Sequence, residues 1–268
     1  MNVSTKAVIV ALSLVSLFLT GCGSDSLQDI NPKETRIWAT YSVDAGEEVR
    51  LCYMPELVKK MFIGNKEVEP TEKYTFPNAG EYTVSYCLNE EGETYFLFNR
   101  CTALTSVTLP SAITEIGREA FCGCTALKSV AIGKRVITID DGAFDECTSL
   151  TSIDIPKSVT TIGEKSFRKC SALDSIVIPA FVTTIGNFAF QDCASLRAIT
   201  SKATTAPSFG GDYVFYGVKS KGTLTVPTRA KGYDAWMDTS RELSLGVDSN
   251  IRLSWGLYDW DLEYSDEL

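Results

Sequence analysis

Apolar positions recur through the middle of the chain with a period of 23 residues. Cys101, Cys124, Cys147, Cys170 and Cys193 mark it, as do Phe98, Phe121, Phe144, Phe167 and Phe190, and Leu104, Leu127, Leu150, Leu173 and Leu196. Val107, Val130, Ile153, Ile176 and Ile199 follow in the same register, then Leu109, Ile132, Ile155 and Ile178. A second apolar pair recurs as Ile113/Ile116, Val136/Ile139, Val159/Ile162 and Val182/Ile185. Gly117, Gly163 and Gly186 come next, with Asp140 in the unit that lacks the glycine. One such coil cannot bury its own apolar side, so the pattern predicts a solenoid in which each leucine lies under the next. The alternation Val107-Thr108-Leu109 predicts a short strand with two inward residues, and successive strands pair in parallel about 4.8 Å apart. Pro110, Pro156 and Pro179 end that strand, because proline cannot donate to a ladder. The Ile-Gly step starts a return leg on which phenylalanine fills the far side of the core.

The unit A-F-x-x-C-x-x-L-x-x-[VI]-x-[LI]-P-x-x-[VI]-x-x-I-G resembles the BspA-type leucine-rich repeats of surface proteins from Bacteroides-like bacteria. The resemblance covers residues 93–240. The first unit, from Glu93 to Phe98, lacks the Ile-Gly and Ala and reads as a modified opening coil. The regular units fade at Ser201; Phe215 and Val226-Pro227 then mark a longer, degenerate closing unit, and with Tyr233-Asp234-Ala235-Trp236 they resemble the family's C-terminal cap. Residues 241–268 form an acidic, aromatic tail that either docks on the cap or hangs free. Residues 33–92 lack the repeat but alternate: Val49, Leu51 and Tyr53 share one face, and Tyr82, Val84, Tyr86 and Leu88 another. The run Tyr74–Val84 looks like the end of a small immunoglobulin-like or PKD-like β-sandwich, a module that often precedes these repeats. Sixty-odd residues make a thin core, so this module is expected to lean on the first coil. The expected fold class is therefore mainly β, a leucine-rich-repeat solenoid preceded by a small immunoglobulin-like sandwich.

The start of the chain bears on location. Residues 1–21 carry Lys6 and an apolar run from Ala7 to Leu19, too short to span a bilayer but suited to a signal-peptide core. The run ends in Leu19-Thr20-Gly21-Cys22, which resembles the lipobox of bacterial lipoproteins. That resemblance implies cleavage before Cys22 and acylation of Cys22. Residue 23 is glycine, so the usual aspartate that retains such proteins at the inner membrane is missing. The polar, acidic stretch 22–32 reads as a tether and resembles the export signal of Bacteroides-type surface lipoproteins. The expected location is the outer membrane, at the cell surface, through a lipid anchor.

Composition removes several classes of function. The net charge is −9 and no stretch forms a basic patch, which argues against nucleic acid. The chain contains no histidine, so Ser-His-Asp and Cys-His nucleophiles and His-ligated zinc are excluded. No local motif marks a catalytic carboxylate pair, so no enzyme, metal or cofactor is expected. Thiols stacked one coil apart form a line rather than a tetrahedron and read as buried structural groups. Cys122-Gly123-Cys124 adds one thiol off that line. In the N-terminal module, parity puts Cys52 with Arg50, and Cys87 with Thr83 and Ser85, on polar faces. That argues against a buried inter-sheet disulfide and leaves open a bridge between neighbouring strands.

The outward strand positions are the candidate binding face, since they carry no packing duty. They comprise Thr105, Ser106 and Thr108, then Lys128 and Ser129, Thr151, Ser152 and Asp154, Asp174 and Ser175, and Arg197, flanked by Ala131, Val177, Ala198 and Thr200. The rows are small, mixed and nearly neutral, without the aromatic and arginine anchors of interface hot spots. The resemblance implies partners on host or neighbouring-cell surfaces, proteins first and glycans second. The aromatics Tyr213, Tyr216, Trp236, Trp255, Tyr258 and Trp260 form an alternative contact set.

Overall fold

A computed structural model describes residues 36–88, 94–211, 213–237, 257 and 260–268. The signal segment, the lipobox with Cys22, the tether, Glu93, and residues 241–256 with Trp255 and Tyr258 of the tail lie outside the described residues.

Six strands precede the repeats: β1 (Arg36–Val43), β2 (Glu48–Arg50), β3 (Val58–Ile63), β4 (Lys66–Val68), β5 (Lys73–Thr75) and β6 (Gly80–Leu88). Strict alternation builds β1, with Ile37, Ala39, Tyr41 and Val43 buried and Arg36, Trp38, Thr40 and Ser42 on the other side. β1 pairs antiparallel with β6, β6 with β3, and β3 with β4, while β2 and β5 form a separate two-stranded ribbon. The ribbon's end is tied to the sheet by two phenols. Tyr86 donates to the carbonyl of Leu51, and the Tyr41 hydroxyl lies within hydrogen-bond distance of both that carbonyl and the Tyr86 hydroxyl, 2.7 Å away. Tyr53, expected on the face of Val49 and Leu51, is 46% exposed, because β2 ends at Arg50 and the alternation with it.

The repeats form coils that we number one to six by Phe98, Phe121, Phe144, Phe167, Phe190 and Phe215. The sheet strands are β7 (Leu104–Thr108) in coil one, β9 (Ser129–Ala131) in coil two, β12 (Ser175–Ile178) in coil four, β14 (Ala198–Ser201) in coil five and β16 (Thr223–Pro227) in coil six. They pair in parallel with the expected shift of one repeat, Val107 to Val130 and Ile176 to Ile199. In coil three, residues 151–156 follow the same path without regular strand structure. The Ile-Gly step is itself a second parallel ladder, which the repeat pattern did not announce. It runs through β8 (Glu115–Ile116), β10 (Thr138–Ile139), β11 (Thr161–Ile162), β13 (Thr184–Ile185) and β15 (Ser208–Phe209).

The core between the two ladders is the stack expected from the period. Neighbouring phenylalanine rings from Phe98 to Phe215 lie 5.2–5.4 Å apart and nearly parallel. From coil two to coil five each thiol of the cysteine line donates to the phenylalanine carbonyl of the preceding coil, Cys124 to Phe98, Cys147 to Phe121, Cys170 to Phe144 and Cys193 to Phe167, at 2.9–3.2 Å. Gly186 shows why the Ile-Gly step takes glycine: a Cβ there would sit 2.4 Å from the backbone nitrogen of Glu164 in the coil before. Ion pairs also cross between coils. Arg168 holds Asp145 through both oxygens at 2.9 and 2.6 Å, and Lys169 holds Glu146 at 2.7 Å, which lowers the Glu146 carboxyl below its ordinary value.

Both ends of the stack are closed by strands. β1 pairs antiparallel with β7, Trp38 opposite Thr108 and Thr40 opposite Ser106, so one six-stranded sheet runs from β4 through β3, β6, β1 and β7 to β9. At the other end β17 (Asp261–Ser265) pairs in parallel with β16, which places the end of the acidic tail on the sheet as its last strand. Trp236 packs against Phe209 and Phe215 over the last coil, and Tyr233 packs edge-on against Trp236.

The packing makes a direct prediction. Leu150 is fully buried in coil three and Ser152 is exposed. Leu150→Ala is expected to cost about 2–5 kcal/mol and Ser152→Ala no more than about 0.5 kcal/mol. Chemical denaturation of the two variants checks this, and equal midpoints would contradict the register.

Candidate functional site

The outward strand residues occupy one face of the solenoid sheet. Thr108, Lys128, Ser129, Thr151, Ser152, Asp154, Asp174, Ser175 and Arg197 are exposed. Thr105 and Ser106 depart from the expectation of a free face. Both are half-buried against β1, and the Thr105 hydroxyl donates to the Thr40 carbonyl at 3.0 Å. They belong to a seam between the N-terminal strands and the first coil, which period alone could not reveal. The charged members are not all independent: Arg197 reaches Asp174 at 3.7 Å, and Ser175 donates to Asp174 at 2.9 Å. Such an exposed pair fixes orientation more than it adds stability.

The seam opens into a shallow cleft of about 350 Å³ that brings Thr105 and Lys128 together with Ser42 and Glu47, and with Ala126 and Ser149 of the coil turns. Nearby, β1 contributes an aromatic to the same face. Trp38 is 46% exposed opposite Thr108, and the Arg36 guanidinium lies 5.7 Å from its ring. The alternation Arg36-Ile37-Trp38-Ala39-Thr40-Tyr41 was the signal that could have placed Trp38 outward. Its pairing with β7 was not legible, because strand partners are set by tertiary packing. Among the described residues, the alternative aromatic set is largely structural. Trp236 and Trp260 are buried, with indole nitrogens donating to the carbonyls of Pro207 and Lys219, and Tyr213 stacks on Phe188 at 5.3 Å.

Cysteine chemistry is likewise turned inward. Cys101, Cys124, Cys147, Cys170 and Cys193 are buried, and loss of hydration pushes every one of these thiols well up from its ordinary value. Cys122, only half-buried, is pushed up to about 11, by burial first and then by the charges of Asp145, Glu119 and Glu146. Cys52 and Cys87, expected on polar faces, are both buried and free. Cys52 lies just past the end of β2, where its thiol turns back to donate to the Thr71 carbonyl at 3.3 Å; burial raises it to about 12. Cys87 is on the outer face of β6 but lies between Arg36 and Lys60 of the flanking strands. Among the described residues no cluster of His, Cys, Asp or Glu could hold a metal ion.

Stacked parallel coils with small outward residues and a continuous apolar interior define a leucine-rich-repeat solenoid. The family signature agrees: a BspA type leucine rich repeat region, in six copies, matches residues 94–229, and the chain belongs to that family. Among solved structures, a leucine-rich repeat protein from Bacteroides ovatus is 26% identical with a TM-score of 0.43, over 62% of this chain and 41% of that one. The T. pallidum leucine-rich repeat protein is 29% identical with a TM-score of 0.40, over 50% of this chain and 65% of that one. The chain thus spans less than two thirds of the length of either. No curated protein matches it. Leucine-rich-repeat families are in general binding scaffolds for proteins rather than enzymes.

The raised thiols carry a signed prediction. An unfolded cysteine ionises near pH 8.5, whereas the folded thiols stay protonated well above that value. Stability is then full below about pH 8.5 and falls as pH rises, by about 1.4 kcal/mol per pH unit for each buried thiol. Melting temperature between pH 7 and 10.5 is expected to drop steeply, and Cys147→Ala is expected to make the drop shallower. A slope unchanged in that variant would contradict the burial of the ladder. In the native protein at pH 8, iodoacetamide should leave the ladder thiols unmodified.

Proposed function

We propose that the protein is a lipid-anchored cell-surface binding protein, adhesin-like, that holds protein partners on the outward face of its repeat sheet. The observation that carries this reading is the run of exposed outward positions, from Thr108 to Arg197, that successive coils present on one side of the stack. Partners are surface proteins of a host or of neighbouring cells. Its place is the outer membrane, facing out, held by acyl groups on Cys22. The division of the chain belongs to the same proposal: signal segment 1–21, tether 22–32, immunoglobulin-like module 33–92, repeat domain 93–240 and acidic tail 241–268. A second reading, capture of glycan by a cell-envelope accessory protein, is favoured by the exposed ring of Trp38 on that face.

Lys128, Asp154, Asp174 and Arg197 are the charged groups on the repeat part of the face. A screen of host matrix and serum proteins beside a glycan array separates the two readings. Any protein it returns should bind a variant with these four residues changed to alanine more weakly, while the melting temperature stays nearly constant. An unaltered dissociation constant would move the site off this part of the sheet, and turnover of the ligand would overturn the non-enzymatic reading.

The anchor has its own test. Cys22→Ala should move the protein from the membrane to the soluble fraction and abolish labelling by radioactive palmitate. Retention of both in the variant would defeat the anchor, and protection from protease added to intact cells would defeat the outward orientation.

A further inference from the structure

The anchors that the repeat rows lack stand on the N-terminal strands. Trp38 lies at the centre of the outer face, between Thr108 on one side and Ser85 on the other, with Phe62 of β3 beyond Ser85. The guanidinium of Arg36 lies 5.7 Å from the Trp38 ring and 5.1 Å from the Phe62 ring, so the three side chains hold one another in place. Little rotamer freedom remains for them to lose on binding. Trp38 is nevertheless 46% exposed, on a face whose other members are mostly small and polar. Beneath the group, the Ser85 hydroxyl is buried and has no hydrogen-bond partner among the described residues.

Four residues further along β1, roughly 13 Å at the rise of a strand, the outer face reaches the cleft at Ser42, Glu47, Thr105 and Lys128. Its two charges are opposite in sign, and hydroxyls and methyls make up the rest. A polyanion such as nucleic acid or an anionic membrane needs a run of bases, which this lining does not offer. An acid beside a base matches a segment that carries both signs itself, as a protein segment does.

We propose that the seam between β1 and β7 is the anchor of the binding face, and that its occupant is an extended protein segment. The segment lays an apolar side chain on Trp38 and sets side chains of opposite charge against Glu47 and Lys128. Tryptophan and arginine at the centre, ringed by Thr40, Thr83, Ser106 and Thr108, is the composition of an interface hot spot. This assignment rests on the reading that the outer face binds protein. It moves the centre of that face from the later coils to coil one and β1.

The test uses the full chain and a displayed library of random linear peptides as the probe. Peptides enriched on the wild-type chain are titrated against Trp38→Ala, Lys128→Ala, and a triple variant Asp154→Ala/Asp174→Ala/Arg197→Ala. Maltoheptaose serves as an uncharged sugar probe. Lys128 is exposed, so Lys128→Ala and the triple variant should melt with the wild type; Trp38→Ala gives up its contact with Arg36, so its binding is compared at a temperature where circular dichroism shows it folded. The expected result is binding weakened by about tenfold or more in Trp38→Ala, a smaller loss in Lys128→Ala and none in the triple variant. Peptides that bind Trp38→Ala as tightly as wild type overturn the seam, and a loss confined to the triple variant then leaves the broader sheet-face reading standing. Failure of any peptide to enrich, or binding of maltoheptaose alone in a Trp38-dependent way, overturns both.

Discussion

A coil of about two dozen residues has two open sides, and this molecule is organised by the need to cover them. Within the stack each coil covers its neighbour at the same residue positions. That is why leucine lies on leucine and why the phenylalanine rings keep a spacing of 5.2–5.4 Å from coil to coil. The first and last coils have no such neighbour. Their exposed sheet edges would template association with other chains. The solution at both ends is a strand from outside the regular repeat, β1 against β7 and β17 against β16. The two ends differ in direction, antiparallel at the start and parallel at the finish. The tail can therefore continue the repeat's own geometry, while the N-terminal strands bring a different architecture into the same sheet.

Stacking in register also solves a polar problem. In coils one to five each phenylalanine carbonyl accepts the backbone N–H of the cysteine three residues on, and its second lone pair faces the next coil. Cysteine meets it with a side chain small enough for the corner and a weak donor. Serine could donate more strongly, but its hydroxyl would lose more hydration on burial. The off-line Cys122 and the two N-terminal cysteines have no such stacked counterparts. On the lateral surface the same registry sets Arg168 beside Asp145 and Lys169 beside Glu146, pairs separated by one repeat in sequence and by one layer in space.

The repeat was legible because 23-residue spacing ties each residue to a fixed place in a stack, so inward rows could be named before any coordinates. Leu150 and Ile176 lie where the period puts them. Features set by contacts between unlike segments were not legible. The alternation of β1 could have told Trp38 from Ile37, yet nothing in it specifies β7 as the partner. Thr105 and Ser106 were assigned to a free face for that reason, although β1 half-covers them. Cys52 misled in another way: parity holds only within a strand, and β2 ends two residues before it. The second ladder through Ile116, Ile139, Ile162 and Ile185 escaped because two-residue strands are too short to alternate.

The candidate site follows from the same division of labour. Inside the stack, identity from coil to coil is enforced by packing, so an inward residue cannot vary without opening a cavity. Outside it, the positions from Thr108 to Arg197 meet no such demand, and they differ between coils. A face of this kind supplies shape and area but few anchors, because its outward residues here are mostly small and polar. Bulk can enter where the repeat stops. β1 is free of the repeat's spacing yet hydrogen-bonded into its sheet, so it can carry Trp38 and Arg36 without disturbing any coil. The segment that closes the stack is thus also the segment best placed to give its outer face an identity.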